Sequence, residues 1–168
     1  MAPFAEAAAR LETIPGVSRR TAEVVIDEIG VEMDQFPTAG HLASWAGMCP
    51  GNHESAGKRR GGRTTKGSRW LRAGLVQAAH AAGRSKRTYL GAQFRRLAAR
   101  RGAKRAAVAV GHTLLGIIYT ILKRGTTYQD LGPEFLDRLE PERLTRQLVR
   151  RLERLGPKVT LEPKDEAA

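Results

Sequence analysis

The sequence predicts an all-α fold: a compact helical domain with a helix-hairpin-helix-like N-terminal part, a Gly/Arg-rich loop and a C-terminal amphipathic helix. Three observations predict it. Apolar residues recur at helical spacing along most of the chain, and Ser or Thr residues stand where helices would need caps. The pattern fails only once at length, between Met48 and Gly67. At 168 residues, 41% hydrophobic and 27% charged, the composition is globular and suits one domain with an appendage. The expected division is 1–132 for the domain and 133–168 for an amphipathic helix and loose tail.

Taken in order, Phe4–Thr13 is Ala-rich and helix-prone, and Ile14-Pro15-Gly16-Val17 breaks it. Ser18 can cap a helix to about Ile29, with Ala22, Val25, Ile26 and Ile29 on its apolar face and Gly30 as its stop. Thr38 caps a short helix ending near Gly47 that carries Leu42, Trp45 and Ala46. The stretch from Met48 to Gly67 holds five glycines, one proline and five basic residues, so it reads as a loop or loose hairpin. Ser68 caps the next helix, through Leu71, Leu75, Ala78, Ala79 and Ala82. Another runs from about Lys86 to Arg101, with Tyr89, Leu90, Phe94 and Leu97 inward and Arg95, Arg96 and Arg100 outward. The segment from about Lys104 to Lys123 is apolar nearly all round, which marks the central helix. After Gly132-Pro133, leucines repeat among charges from Glu134 to Leu155, with a restart at Pro141.

Charge is concentrated rather than interspersed. The net formal charge is +12, and no Asp or Glu occurs between Glu54 and Asp130. That window holds 18 of the 29 Lys and Arg residues, leaving 11 basic against 17 acidic elsewhere. Such a field selects polyanionic partners and makes their binding salt-dependent, so nucleic acid is the expected partner. The one cysteine, Cys49, excludes an internal disulfide framework. The N-terminus shows no signal peptide, and the apolar run Ala106–Leu122 reads as a core helix rather than a membrane span. The expected location is the bacterial cytoplasm, nucleoid-associated, with no membrane partner.

Three motifs bear on chemistry. Ile14 to Val25 resembles a helix-hairpin-helix, in which Gly16 and the amides at Ser18 would meet a phosphate. Ser18 stands where a second glycine is usual, so a purely structural αα-hairpin stays open. The Asn52–Arg63 loop is not a nucleotide P-loop, because Gly51 is misplaced and Arg59 replaces the required Ser or Thr. It sets Ser55 among Lys58, Arg59, Arg60 and Arg63, where a serine either hydrogen-bonds phosphate or acts as an activated nucleophile. Lys66, Arg69 and Arg72 flank a helix start as phosphate contacts or as a solvated face. His41, His53, His80, His112 and Cys49 lack metal-site spacing, and the basic window offers no carboxylates for catalytic metals.

Several blocks occur together: Ile14-Pro15-Gly16-Val17 with Thr21-Ala22, Ala43–Gly51, Ser55-Ala56-Gly57-Lys58-Arg59, Lys66–Arg72 and Thr88–Gly102. In this order they resemble the C-terminal transposase domain of the insertion-sequence 110/116/902 family, over roughly Leu11 to Gly132. The resemblance implies a full-length enzyme with an N-terminal RuvC-like domain whose four-carboxylate DEDD site binds magnesium. It also implies that the C-terminal domain brings a nucleophilic serine, in a block falling on Ser55-Ala56-Gly57-Lys58. Domains from different protomers would then build one DNA-cleaving and rejoining site, guided by a structured RNA. The expected partners are therefore DNA, a structured guide RNA, a DEDD-bearing protomer and further copies of the full-length form. No RuvC-like portion stands in this sequence, as in a truncated copy, a mis-called start or a fragment. The chain is accordingly expected to hold no cofactor and to be inactive alone. The alternative is a stand-alone, non-catalytic helix-hairpin-helix-like nucleic-acid-binding protein.

Overall fold

The computed structural model describes residues 2–49, 54–59 and 64–162. They form α1 (Ala2–Glu12), α2 (Arg19–Ile29), a 3-10 turn (Met33–Gln35) and α3 (Ala39–Trp45). A small hairpin follows, β1 (Glu54–Ser55) with β2 (Lys58–Arg59), then α4 (Arg69–Arg84), α5 (Tyr89–Arg101) and α6 (Ala103–Arg124). Two further helices, α7 (Phe135–Leu139) and α8 (Pro141–Glu153), lie in a second unit, Glu134–Ala168, distinct from the first, Met1–Pro133. The fold is helical, as the periodicity predicts.

Local chemistry sets the helix starts. The Ser18, Thr38, Ser68 and Thr88 hydroxyls accept the amide hydrogens of Thr21, His41, Leu71 and Gly91 at 3.3, 3.3, 3.1 and 3.2 Å. Each cap satisfies a donor that the helix itself leaves open, for about 1 kcal/mol. The Thr88 cap corrects one boundary: α5 starts at Tyr89, not near Lys86. The Arg95 guanidinium holds the link before it, donating to the carbonyls of Ser85 at 2.6 Å and Lys86 at 3.1 Å. Arg95 therefore braces a turn rather than simply facing out.

In the first unit α6 packs on α3, α4 and α5, with Val110, Leu114, Leu115 and Ile118 fully buried. It is long and apolar enough to cross a membrane by composition alone, yet half of its most apolar stretch is buried within this unit. It is not apolar all round, because Ala109, His112 and Thr120 are exposed. The α1–α2 hairpin adds Leu11, Ile14, Val25 and Ile29 to the same core, and α2 docks on α4. The turn between α1 and α2 reaches α4 through Gly16, at φ +90. A Cβ there would strike the Ala78 carbonyl oxygen and lie 2.6 Å from the Ala82 nitrogen. Trp45 departs from its expected place: it is 48% exposed and lies against Phe36, ring centroids 5.7 Å apart.

After α6, Asp130 ties the chain back to the start of α5. Its carboxylate accepts the Gly132 amide at 2.7 Å, the Tyr89 amide at 3.1 Å and the Tyr128 hydroxyl at 3.1 Å. Burial, then the neighbouring Asp130 charge, pushes the Tyr128 phenol well above the usual tyrosine range.

The second unit is built differently. Pro141 occupies the first turn of α8, where its missing N–H costs nothing. Neither α7 nor α8 contains a buried residue, and Leu139, Leu148, Leu152 and Leu155 stay at least 46% exposed. Arg143, Arg146, Arg150, Arg151 and Arg154 line one side of α8.

Candidate functional site

The basic loop leaves and rejoins the bundle at one point. Gly47 ends the α3 turn at φ +65, a conformation that favours glycine. A Cβ on Gly47 would sit 2.6 Å from the Thr65 carbonyl oxygen and 2.8 Å from the Gly67 nitrogen. On Gly67 a Cβ would fall onto the Ala46 carbonyl and 2.5 Å from the Gly47 nitrogen. The two strands of chain thus cross backbone against backbone. Arg72, in the first turn of α4, locks the crossing: its Nη2 donates to the Gly47 carbonyl and, at 2.7 Å, to that of Thr65. Its Nε is buried with no hydrogen-bond partner among the described residues. Met48, just beyond the crossing, is buried and anchors the outgoing chain.

Within the loop, Glu54 pairs with Arg59 and Ser55 with Lys58 across an antiparallel hairpin. Its two-residue turn has Ala56 at φ +49 and Gly57 at φ +72. Positive φ at both central positions is the type I′ geometry, which fits the natural twist of paired strands. The loose hairpin foreseen from composition is therefore a tight one, with Ser55 next to the turn and directly opposite Lys58 in register. Arg60 and Arg63 lie outside the described residues.

The remaining expected contacts gather near the crossing or apart from it. Lys66 and Arg69 are exposed, one on each side of Gly67 and the Ser68 cap, with no carboxylate partner among the described residues. Ser18 is exposed and caps α2, and Gly16 is pressed against α4. Neither is drawn toward the loop by any hydrogen bond among the described residues. Sequence reasoning missed a groove of about 600 Å3 beside the loop's return, lined by Met48, Thr64, Lys104, Arg105, Val108, Ala109 and His112. Cys49 Sγ lies 3.9 Å from His112 Nε2 at its edge. It also missed the Gly47–Gly67 pairing, although the glycine directly after a short helix was a legible stop signal.

The ion pairs Arg10–Glu6, Arg19–Glu12, Arg19–Glu23, Arg138–Glu134 and Arg143–Glu140 all fall outside the acid-free window. Magnesium would need several oxygen ligands. Among the described residues no three His, Cys, Asp or Glu side chains gather into such a set, so these residues do not fit the metal. Among the described residues, the exposed Lys66 and Arg69 at the loop's return, with Lys104 and Arg105 beside the groove, form a cationic surface at its base.

Comparison with known proteins bears on the same segment. The model of the family described as "Transposase IS116/IS110/IS902 family" matches residues 8–95, from α1 across the crossing and the hairpin into α5. The chain is 31% identical over 127 residues to "Insertion element IS110 uncharacterized 43.6 kDa protein" of Streptomyces coelicolor, covering 73% of this chain and 30% of that one. It is 32% identical over 124 residues to "Transposase for insertion sequence element IS1111A" of Coxiella burnetii, covering 71% and 34% respectively. The chain thus spans about a third of the length of these curated relatives. With more than half of its residues matched, including the pinned loop and the helices that pin it, the chain belongs to the IS116/IS110/IS902 family of transposases.

Proposed function

We propose that this chain is the DNA-binding, serine-bearing part of an insertion-sequence transposase, acting in the bacterial cytoplasm together with a carboxylate-bearing portion. The observation that carries the reading is the acid-free window of 18 cations, which holds Ser55 at its start, in a hairpin between the two fixed ends of one loop. Lys58, Arg59, Arg60, Arg63, Lys66 and Arg69 would neutralise backbone phosphates. Gly16, Ser18 and Arg72 would support the duplex on the α2 and α4 starts. Phosphate contacts of this kind give affinity without sequence preference. A structured RNA would supply the choice of target, and assembly of several copies would bring the two portions together.

In this reading Ser55 Oγ attacks a DNA phosphorus and forms the phosphoserine bond. The bridging sugar oxygen leaves with the bonding pair, and the serine proton passes to a base. Serine alone is a weak nucleophile and needs both that base and a neutralised phosphate. The cations serve the second need; base and metal belong to the carboxylate-bearing portion.

Measured across salt concentrations, duplex affinity should fall steeply, with a log–log slope of about −0.9 per phosphate neutralised. A flat dependence rejects the reading. With a family DEDD domain supplied in trans, Ser55→Ala should abolish a covalent DNA adduct and leave affinity nearly unchanged. An adduct that survives the substitution assigns the chemistry to another residue.

A further inference from the structure

Two tryptophans are exposed near the loop base, and only one exposure is accounted for by the fold. Trp45, 48% exposed, rests on Phe36. Trp70 is 69% exposed, and the ring contact described for it is with a cation, the Arg69 guanidinium 5.7 Å from its centroid. A large exposed aromatic gains nothing from folding, so its position is informative. It sits in the first turn of α4, three residues past the Gly67 crossing, and is therefore fixed to the base of the serine loop. Lys66 and Arg69 stand beside it, and no carboxylate lies between positions 55 and 129 to repel a phosphate chain.

We propose that Trp70 is a stacking platform for an unpaired base of the DNA strand held at the serine loop. This rests on the DNA-binding reading above. A duplex hides the faces of its bases, whereas an unpaired base offers a π face to an indole and its backbone to the flanking cations. The platform therefore favours DNA that is opened or frayed where the loop engages it.

The test uses the full chain and oligonucleotides of mixed sequence. In Trp45→Phe, Trp70 is the remaining tryptophan of the two, and single-stranded DNA should quench its fluorescence more than duplex does. Trp70→Ala should weaken single-stranded DNA binding about tenfold, within the range for one lost base stack, and duplex binding less than twofold. Trp70→Phe should retain most of the affinity. Because the side chain is exposed, neither variant should change the melting temperature. Equal losses on both DNA forms, or quenching by single-stranded RNA but not DNA, overturns the proposal. So does an unaltered fluorescence while duplex binding stays salt-sensitive, an outcome that spares the DNA-binding reading. If the wild-type chain binds no DNA at all, both fall.

Discussion

Ala56 occupies a position whose backbone asks for glycine. At φ +49 an L-residue costs about 1 kcal/mol or more through the crowding of its Cβ. Ala56→Gly should therefore strengthen the β1–β2 hairpin. Amide hydrogen exchange at Ser55 and Lys58 is expected to slow in the variant; faster exchange would mean that the turn is not type I′. The same residue shows what one-dimensional reading leaves out. Ser55-Ala56-Gly57-Lys58 was legible as a serine block by resemblance, but the paired positive φ values were not, because alanine hides the turn signal that two glycines would give. Gly16 is the converse. Its break in the helical pattern was evident, while the reason for glycine, contact with the α4 backbone, depends on a partner more than sixty residues away.

At the scale of elements, Arg72 is where helix and loop are joined. Replacing it with Ala removes charge-assisted bonds to two carbonyls and should lower stability by about 2 kcal/mol in urea unfolding. Arg72→Lys should recover little, since both bonds come from Nη2 at the far end of a rigid, planar guanidinium, and the shorter, more strongly hydrated ammonium does not hold that position between the two carbonyls. Full recovery by lysine would show that charge alone holds the crossing. The turn after α6 makes a pH prediction. Tyr128 has its proton held more tightly in the folded state, so its contribution is complete below the ordinary tyrosine value of about 10 and drains away as pH rises beyond it. Tyr128→Phe should flatten the alkaline loss of stability above about pH 10, read from melting temperatures. An unchanged alkaline limb would place that titration elsewhere. Elements were the best-read level of the sequence: Ser18, Thr38 and Ser68 announced helix starts through chemistry confined to three residues. Thr88 was passed over because the Lys86-Arg87 pair before it carries no breaker.

For the molecule as a whole, every fully buried apolar side chain among the described residues lies between Ala7 and Ile121. The second unit contributes none. Ending the chain at Pro133 should thus leave the melting temperature within a few degrees and unfolding still cooperative. A large drop would mean that α7 or α8 completes the core. The charge map was legible at this scale from composition alone, because a window without acid stays without acid however it folds. The groove beside Lys104 and Arg105 was not, since it forms only where the returning loop meets α6.

The crossing at Gly47 and Gly67 has a consequence for how such a protein diversifies. With both ends of the excursion fixed in backbone contact, its closure is settled by the bundle, and doubling its length costs only about 0.6 kcal/mol. Insertions and deletions beyond the buried Met48 and short of Thr65 should then weigh little on folding. A lineage could vary the length and composition of the chain on either side of the Ser55 hairpin on an unchanged scaffold. What it has to keep is the pair of glycines, the buried Met48 and the arginine that clasps the crossing.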